Sequence, residues 1–395
     1  LKECPVCTSS SFESFVDFGT LPLSGSFLES SSQSYKTTRL AFEFCSKCGL
    51  VRQRDARDVC CDYKFVGRTT GHRLPPYAES LIVRSFDEAD ICKDSLIIEV
   101  GANDGALADL FVKSDFSNVL CVEPSRECAE VARSKGHICE CLHLDSTTAT
   151  KIRSQYGPAQ VVVCRLTLEH VPELYDFLTA LGRLLTDDGT LFIEVPDGTI
   201  ITDDLQGHIL WDEHIYSFTR DMVVMLLQRA GFKVSRVLVK NYRSTRTILA
   251  WANPRAGKQQ QENNSSDLVQ FVDSCRGFAS RWHRFSQEIL LAASKWPRPI
   301  AFIGASHPQS NFLLFTRLGR MISFLVDDDP YKVGRFVPVP QPVEVISSVQ
   351  LLEGYIPATV VRGAFGCDDW MDEICSHLSA KGVHIAEPYC VAHVR

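Results

Sequence analysis

Between Ser95 and about Asn253, four nearly unbroken apolar runs (LIIEV, VLCVE, QVVVCRL and TLFIEV) alternate with longer stretches of helical periodicity. Runs this rich in β-branched residues, with no polar alternation, are buried on both faces. The pattern therefore predicts a parallel sheet covered by helices on either side, an α/β unit of Rossmann-like kind. The polar segment 254–267 (PRAGKQQQENNSSD) ends the pattern and reads as an exposed linker or loop. Beyond it, apolar residues recur at helical spacing from Leu268 to Trp296, and PIAFIGAS and MISFLVDDD give two more strands around a glycine turn and a helix. A second, smaller α/β unit is expected there. Residues 1–60 differ: short apolar pieces broken by Gly, Ser and Pro, too poor in helix to bury a core without a staple. For 395 residues the expectation is three domains, at 1–62, 63–256 and 257–395.

The staple is written in the cysteines. Cys4 and Cys7 form CPVC, Cys45 and Cys48 form CSKC, and no other cysteine lies between the pairs. Two CxxC turns brought together offer the tetrahedral sulfur shell that Zn²⁺ prefers, with the intervening residues as a large loop. Four protein ligands leave no open position, so such a zinc is structural. The alternative is four unrelated buried thiols or a redox pair. The remaining cysteines of the 16 are scattered, several inside apolar runs such as Val161 to Cys164, where a thiol acts as a small core hydrophobe. They need no partners in a reducing compartment.

A net charge of −7 argues against a protein that grips a phosphate backbone, so no nucleic acid partner is expected. No run approaches the roughly 20 apolar residues that span a bilayer, and the N-terminus lacks the build of a secretory signal, so the expected location is cytoplasmic, with no membrane partner. The sequence starts at Leu1 without an initiator Met; any address ahead of it lies outside its reach.

The segment IIEVGANDGALADLF, residues 97–111, joins a strand to a helix through Gly101 and Gly105 with Asn103 and Asp104 between them. Glycines there let backbone approach a ligand closely. The spacing departs from the dinucleotide fingerprint, and an acidic turn repels a pyrophosphate. It suits a cationic ligand, and S-adenosylmethionine (SAM) carries an ammonium and a sulfonium. Glu123 closes the next strand about 20 residues on, where a carboxylate commonly holds ribose hydroxyls. Glu99 is either a second contact or a satisfied strand residue, Pro124 follows Glu123, and Asp145 is a weaker candidate for the adenine. A generic Rossmann-like core is the alternative.

Two further segments carry ionisable groups to the carboxyl edge of the sheet. In CRLTLEHVPE, Glu169 and His170 sit where strand gives way to helix. They line the cofactor pocket, or else they are a helix N-terminal carboxylate and a solvated histidine. In LWDEHIYSFT, Glu213 and His214 place an imidazole beside a carboxylate, a pairing suited to a general base; otherwise the histidine caps a helix.

The order of CPVC, CSKCGLVR, EVGANDG, VEP, LEH, IEVPD, DEHIYSF and DDDPYKVGRFVP resembles the sugar C-methyltransferases of deoxysugar pathways over nearly the whole chain. That resemblance implies an N-terminal zinc-binding domain, a central SAM-dependent methyltransferase fold and a C-terminal Rossmann-like substrate-binding domain, in a monomer or homodimer. It implies that Cys4, Cys7, Cys45 and Cys48 bind zinc and that Gly101, Asn103, Asp104 and Glu123 bind SAM. It also implies a nucleotide-linked 4-keto sugar as acceptor, deprotonated at carbon by His214 with Glu213 as partner, the enolate then taking the methyl group. The late run matches the family's signature at Asp327, Pro330, Lys332, Gly334 and Pro338.

The departures fall on the substrate side. The family's Tyr-His-Glu-His is here Trp211, Asp212, Glu213, His214, which leaves Tyr216 as the candidate hydroxyl. In DYKFVGR, Tyr63 is retained and Phe65 replaces a second aromatic. GASHPQS has Pro308 at a lysine position, and NYRSTR (241–246) replaces a Gly-Gly-Ser loop. Arg243, Arg246 and His307 are either alternative anion contacts or surface residues. Methylation at oxygen or nitrogen of another acceptor, or a non-catalytic SAM-binding scaffold, are the rival expectations.

Overall fold

The computed structural model describes residues 3–55, 77–78, 82, 86, 91–242, 245–254, 265–363 and 368–388. Tyr63, Phe65 and Arg243, singled out above, lie outside the described residues, as does most of the polar segment after Pro254.

The first part is an antiparallel meander of β1 (Phe12–Pro22), β2 (Thr37–Cys45) and β3 (Val51–Gln53). In β2 the period of two puts Leu40, Phe42 and Phe44 on one buried face. That face packs on the 29-residue helix Ser265–Ala293, where the Phe15 and Phe278 rings stack with centroids 4.5 Å apart. Each such buried phenylalanine contributes about 1.5–3 kcal/mol. The helix starts three residues ahead of the apolar periodicity, in the polar run that reads as linker.

The central sheet contains β4 (Ile97–Val100), β5 (Val119–Val122), β6 (Ile138–Glu140), β7 (Ala159–Arg165) and β8 (Leu185–Pro196), all parallel. After β8 the chain leaves this sheet. The two-residue β9 (Tyr216–Ser217) pairs instead with β3 of the N-terminal meander, Tyr216 opposite Arg52. The chain then returns through β10 (Phe232–Tyr242) and β11 (Thr245–Pro254), giving the order β10-β11-β8-β7-β4-β5-β6. Of these, β11 is antiparallel to both of its neighbours, β8 and β10, which corrects the all-parallel expectation. A hairpin needs only a short turn to bring its second strand back, so no covering helix marks it in the sequence.

The C-terminal part is a six-stranded sheet of β12 (Ile300–Ile303), β13 (Phe324–Val326), β14 (Phe336–Pro338), β15 (Pro342–Ile346), β16 (Thr359–Arg362) and β17 (His384–Ala386), parallel except at β14. In its signature run, Asp327 accepts from Lys332 Nζ at 2.8 Å and from the Ala305 N–H at 3.1 Å, a loop-closing role. Leu28 and Phe336 exchange both backbone hydrogen bonds at 2.8 Å, tying this part to the N-terminal meander. The meander is thus wedged between the two α/β units, its cysteine end in one core and its aromatic face in the other. Among the described residues no helix is long and apolar enough to cross a membrane.

Candidate active site

The two CxxC turns close alike: the Thr8 N–H donates to the Cys4 carbonyl at 2.9 Å and the Gly49 N–H to the Cys45 carbonyl at 2.7 Å. Gly49 has φ +78°, and a Cβ there would lie 2.6 Å from the Phe271 ring. The turns face each other with Cys4 Sγ 3.6 Å from Cys48 Sγ and Cys7 Sγ 3.5 Å from Cys45 Sγ, all four sulfurs within 4.8 Å and buried. A tetrahedral shell with Zn–S near 2.3 Å has sulfur–sulfur edges of about 3.8 Å, so the quartet fits the ion. The first turn is fastened to the central unit: Tyr175 Oη donates to the Pro5 carbonyl at 2.7 Å and Arg229 to the Val6 carbonyl at 3.2 Å.

At the carboxyl end of β4 the chain turns through Gly101, Asn103 and Gly105, all with positive φ. The Asn103 N–H donates to Glu123 Oε2 and the Ser125 N–H to Glu123 Oε1, both at 2.8 Å, so one carboxylate ties the first βα turn to the second. Asp104 is paired with Lys135 at 3.0 Å, which offsets the turn's acidity. Glu99 and Asn103 each keep a buried side-chain oxygen without a hydrogen-bond partner. Burial pushes the Glu99 carboxyl up to about 8; Arg165 opposes the shift, and the Asp104 and Glu123 carboxylates add to it. Burial also raises Glu123, against the two N–H donors. The edge therefore gathers acceptors that lack donors. Pro124 follows, its carbonyl facing the Cys141 thiol at 3.7 Å. The Asp145 carboxylate caps helix Ser146–Tyr156 by accepting from the Thr147 and Thr148 N–H groups.

Gly101 has no alternative. Its φ is +75° and an added Cβ would fall 2.0 Å from Thr167 Oγ1. Gly101→Ala should displace this turn from the β7 edge and lower stability by at least about 1 kcal/mol, seen as a lower thermal midpoint together with weakened SAM binding.

Opposite this edge stands the loop between β8 and β9. The Gln53 side-chain amide donates to three of its carbonyls, those of Trp211 (2.8 Å), Asp212 (2.8 Å) and His214 (3.0 Å). Its backbone N–H reaches the Ile215 carbonyl at 2.9 Å, and the Ser24 N–H reaches Asp212 Oδ1 at 3.1 Å. From the other side the Ile215 N–H donates to the Glu169 carbonyl at 2.8 Å, and His170 Nδ1 lies 2.9 Å from the Glu213 carbonyl. A carbonyl can only accept, so Nδ1 carries the hydrogen. The His214 ring packs edge-on against His170 (4.8 Å) and Trp211 (4.7 Å), and Trp211 against His307 (4.7 Å). His307 is half-buried and closes the loop from the C-terminal side, against Gly25 of the N-terminal part.

Burial sets the charge states here. It holds His214 well below the usual histidine range, helped by the His170 and His307 rings and opposed by a hydrogen bond to the Ile209 carbonyl. It lowers His170 to about 4 and raises Glu169 to about 8. It also raises Glu213 to about 7, with Asp212 adding to the shift, and leaves Glu213 Oε2 without a partner. Both histidines are neutral at pH 7. Pro196, Ile209, Leu210, His214, Tyr216 and Ser217 line a small cavity at the loop. The Tyr216 ring belongs to it, but its hydroxyl donates to the Pro172 carbonyl at 3.1 Å. Arg246 is taken up by Asp197 (2.8 Å) and Asp203 (3.3 Å), so it is not a spare anion contact. Sequence reasoning missed Gln53 altogether, because nothing in VRQ marks a glutamine that will face three carbonyls.

Comparison with known proteins finds similarity in the central and N-terminal parts of the chain. Residues 71–237 match the family "Methyltransferase domain" and residues 4–58 match "Putative zinc binding domain". The chain is 24% identical to the C-methyltransferase NovU of Streptomyces niveus over 355 residues, 86% of this chain and 84% of that one. Similar solved structures include the magnesium protoporphyrin IX methyltransferase of Synechocystis PCC 6803 with bound SAM (15% identity, 45% of this chain and 79% of that one, TM-score 0.35). Another is a SAM-dependent methyltransferase of Anabaena variabilis (16% identity, 45% and 85%, TM-score 0.37). The chain is a SAM-dependent methyltransferase with an N-terminal zinc-binding domain built on the cysteine quartet.

Proposed function

We propose that this methyltransferase transfers the methyl group to carbon, next to the keto group of a nucleotide-linked sugar or a related small metabolite. The observation that carries the reading is His214: a half-buried, neutral imidazole at the carboxyl edge, beside a small cavity and with its backbone carbonyl clamped by Gln53. Removing a proton from carbon needs a base whose lone pair is available at working pH, and a neutral histidine provides it. In this reading Glu213 shapes the field around His214 from the same loop, and the Tyr216 ring shapes the cavity wall. The C-terminal unit closes the acceptor side through His307, whose ring packs on Trp211.

SAM, when bound, supplies an electrophilic methyl. The residues at the β4 edge fit it: Glu99 and Asn103 hold buried acceptors that an ammonium satisfies, and Glu123 has lone pairs to spare for ribose hydroxyls. Gly101, Asp104 and Gly105 shape the turn, and Pro124, Glu169 and His170 flank it. Glu123→Ala removes an acceptor and unties Asn103, so SAM affinity should fall roughly tenfold or more by calorimetry, in line with the ~1.5–3 kcal/mol of a hydrogen bond to a charged group. The decisive experiment supplies SAM carrying a ¹³C methyl and a panel of nucleotide-linked 4-keto sugars. A new carbon-bound methyl resonance supports the proposal; a methoxy or methylamino resonance sinks it in favour of transfer to oxygen or nitrogen.

A further inference from the structure

Resting on the reading of His214 as the base, we propose that Glu169 is a positioning residue for it, its carboxylate the counter-charge to the imidazolium formed when His214 takes the carbon proton. One carboxylate oxygen of Glu169 and one ring nitrogen of His214 lie within 4.8 Å of each other, although the two residues come from different segments. Glu169 is 2% exposed and its Oε2 has no hydrogen-bond partner. A buried carboxyl oxygen without a donor is costly, and a cation formed within reach relieves it.

The backbone holds the pair at this spacing. Arg165 ends β7, Thr167 Oγ1 donates to the Arg165 carbonyl at 2.9 Å, and Glu169 follows in the short turn Leu168–His170. The Ile215 N–H reaches the Glu169 carbonyl at 2.8 Å, which ties that turn to the residue after His214. Both ties survive a change of the Glu169 side chain. Of the other ionisable groups around the pair, burial keeps His170 neutral, its pKa lowered to about 4, and Glu194 is held by Arg165. Asp212 and Glu213 sit on the His214 loop itself, and His307 lies beyond it against Trp211.

The protons balance. Burial keeps a proton on Glu169 at pH 7, its pKa raised to about 8, while His214 is neutral. When the carbon–hydrogen bond breaks, its electron pair stays on carbon and the proton goes to His214. The imidazolium favours the Glu169 carboxylate, whose proton leaves to water. The carbon pair then forms the bond to the methyl, and the sulfur–methyl pair leaves with the sulfur. Passing the His214 proton to Glu169 restores both groups, with one proton released per methyl transferred.

The test is a double-mutant cycle in the full chain, with zinc in the quartet. Glu169→Gln keeps the shape of the side chain and removes its charge. Turnover (kcat) and α-hydrogen exchange of a nucleotide-linked 4-keto sugar in D₂O should fall together by about 10–100-fold, in line with the ~1–3 pKa units that an opposite charge at this range confers. The KM for the sugar and the affinity for SAM should stay native. Glu169→Asp keeps the charge on a shorter arm and should recover part of the loss. Adding Glu169→Gln to His214→Ala should lose nothing further, because the carboxylate acts only through that ring. Native kcat and exchange in Glu169→Gln, a loss confined to SAM affinity, or losses that add in the double variant overturn the counter-charge role and leave the base standing. Native exchange in His214→Ala removes the base itself, a separate outcome.

Discussion

His214→Ala lowers methyl transfer by about 10²–10⁴-fold, the range a positioned general base contributes, while SAM binds as in the native chain. Its imidazole is neutral, because burial and two neighbouring rings disfavour the cation. Its position is fixed by Gln53 beneath its own carbonyl and by the edge-on contact with His170. The loss therefore falls on kcat and leaves the cofactor affinity, set at the β4 edge, unchanged. A second readout isolates the base from simple loosening of the loop. In D₂O without SAM, the native chain should exchange the acceptor's α-hydrogen and the variant should not. Exchange at the native rate in His214→Ala would remove the assignment even if methyl transfer had dropped.

Much of this machinery was legible in the residues. The runs around Ile97, Val119, Val161 and Leu191 became adjacent parallel strands, since a buried strand leaves no room for polar alternation. The cysteine pairs met because spacing and chemistry together allow few other outcomes. What the sequence hid depends on contacts between distant segments. β9 is two residues long and pairs outside its own sheet, so no local pattern announces it. Gln53 matters only because three carbonyls of a loop far along the chain converge on it. Asp145 is a different case: the pattern Asp-x-x-Thr before a helix is a capping signal, and it was there to be read. Arg246 looked like an anion contact because its partners Asp197 and Asp203 come from the neighbouring segment after β8.

Cys45→Ser should strip the zinc and abolish methyl transfer, although the quartet holds none of the groups that handle the methyl or the proton. A structural zinc contributes about 10–16 kcal/mol of apparent binding free energy to its fold, as much as the whole stability of an ordinary domain. Without it the two CxxC turns lose their closure, and the short β3 directly follows the second of them. With β3 go its pairing to β9, the three bonds from the Gln53 amide and so the seat of His214. The β4 edge is built by the central sheet, so SAM binding should survive in whatever part of the chain stays folded. Gln53→Leu separates the two causes. It keeps zinc at one per chain and SAM affinity unchanged, yet leaves three loop carbonyls without their donor, and kcat should fall at least tenfold. Native turnover in Gln53→Leu, with zinc-free Cys45→Ser inactive, would mean that the metal sustains folding alone and that the loop holds its geometry without the glutamine.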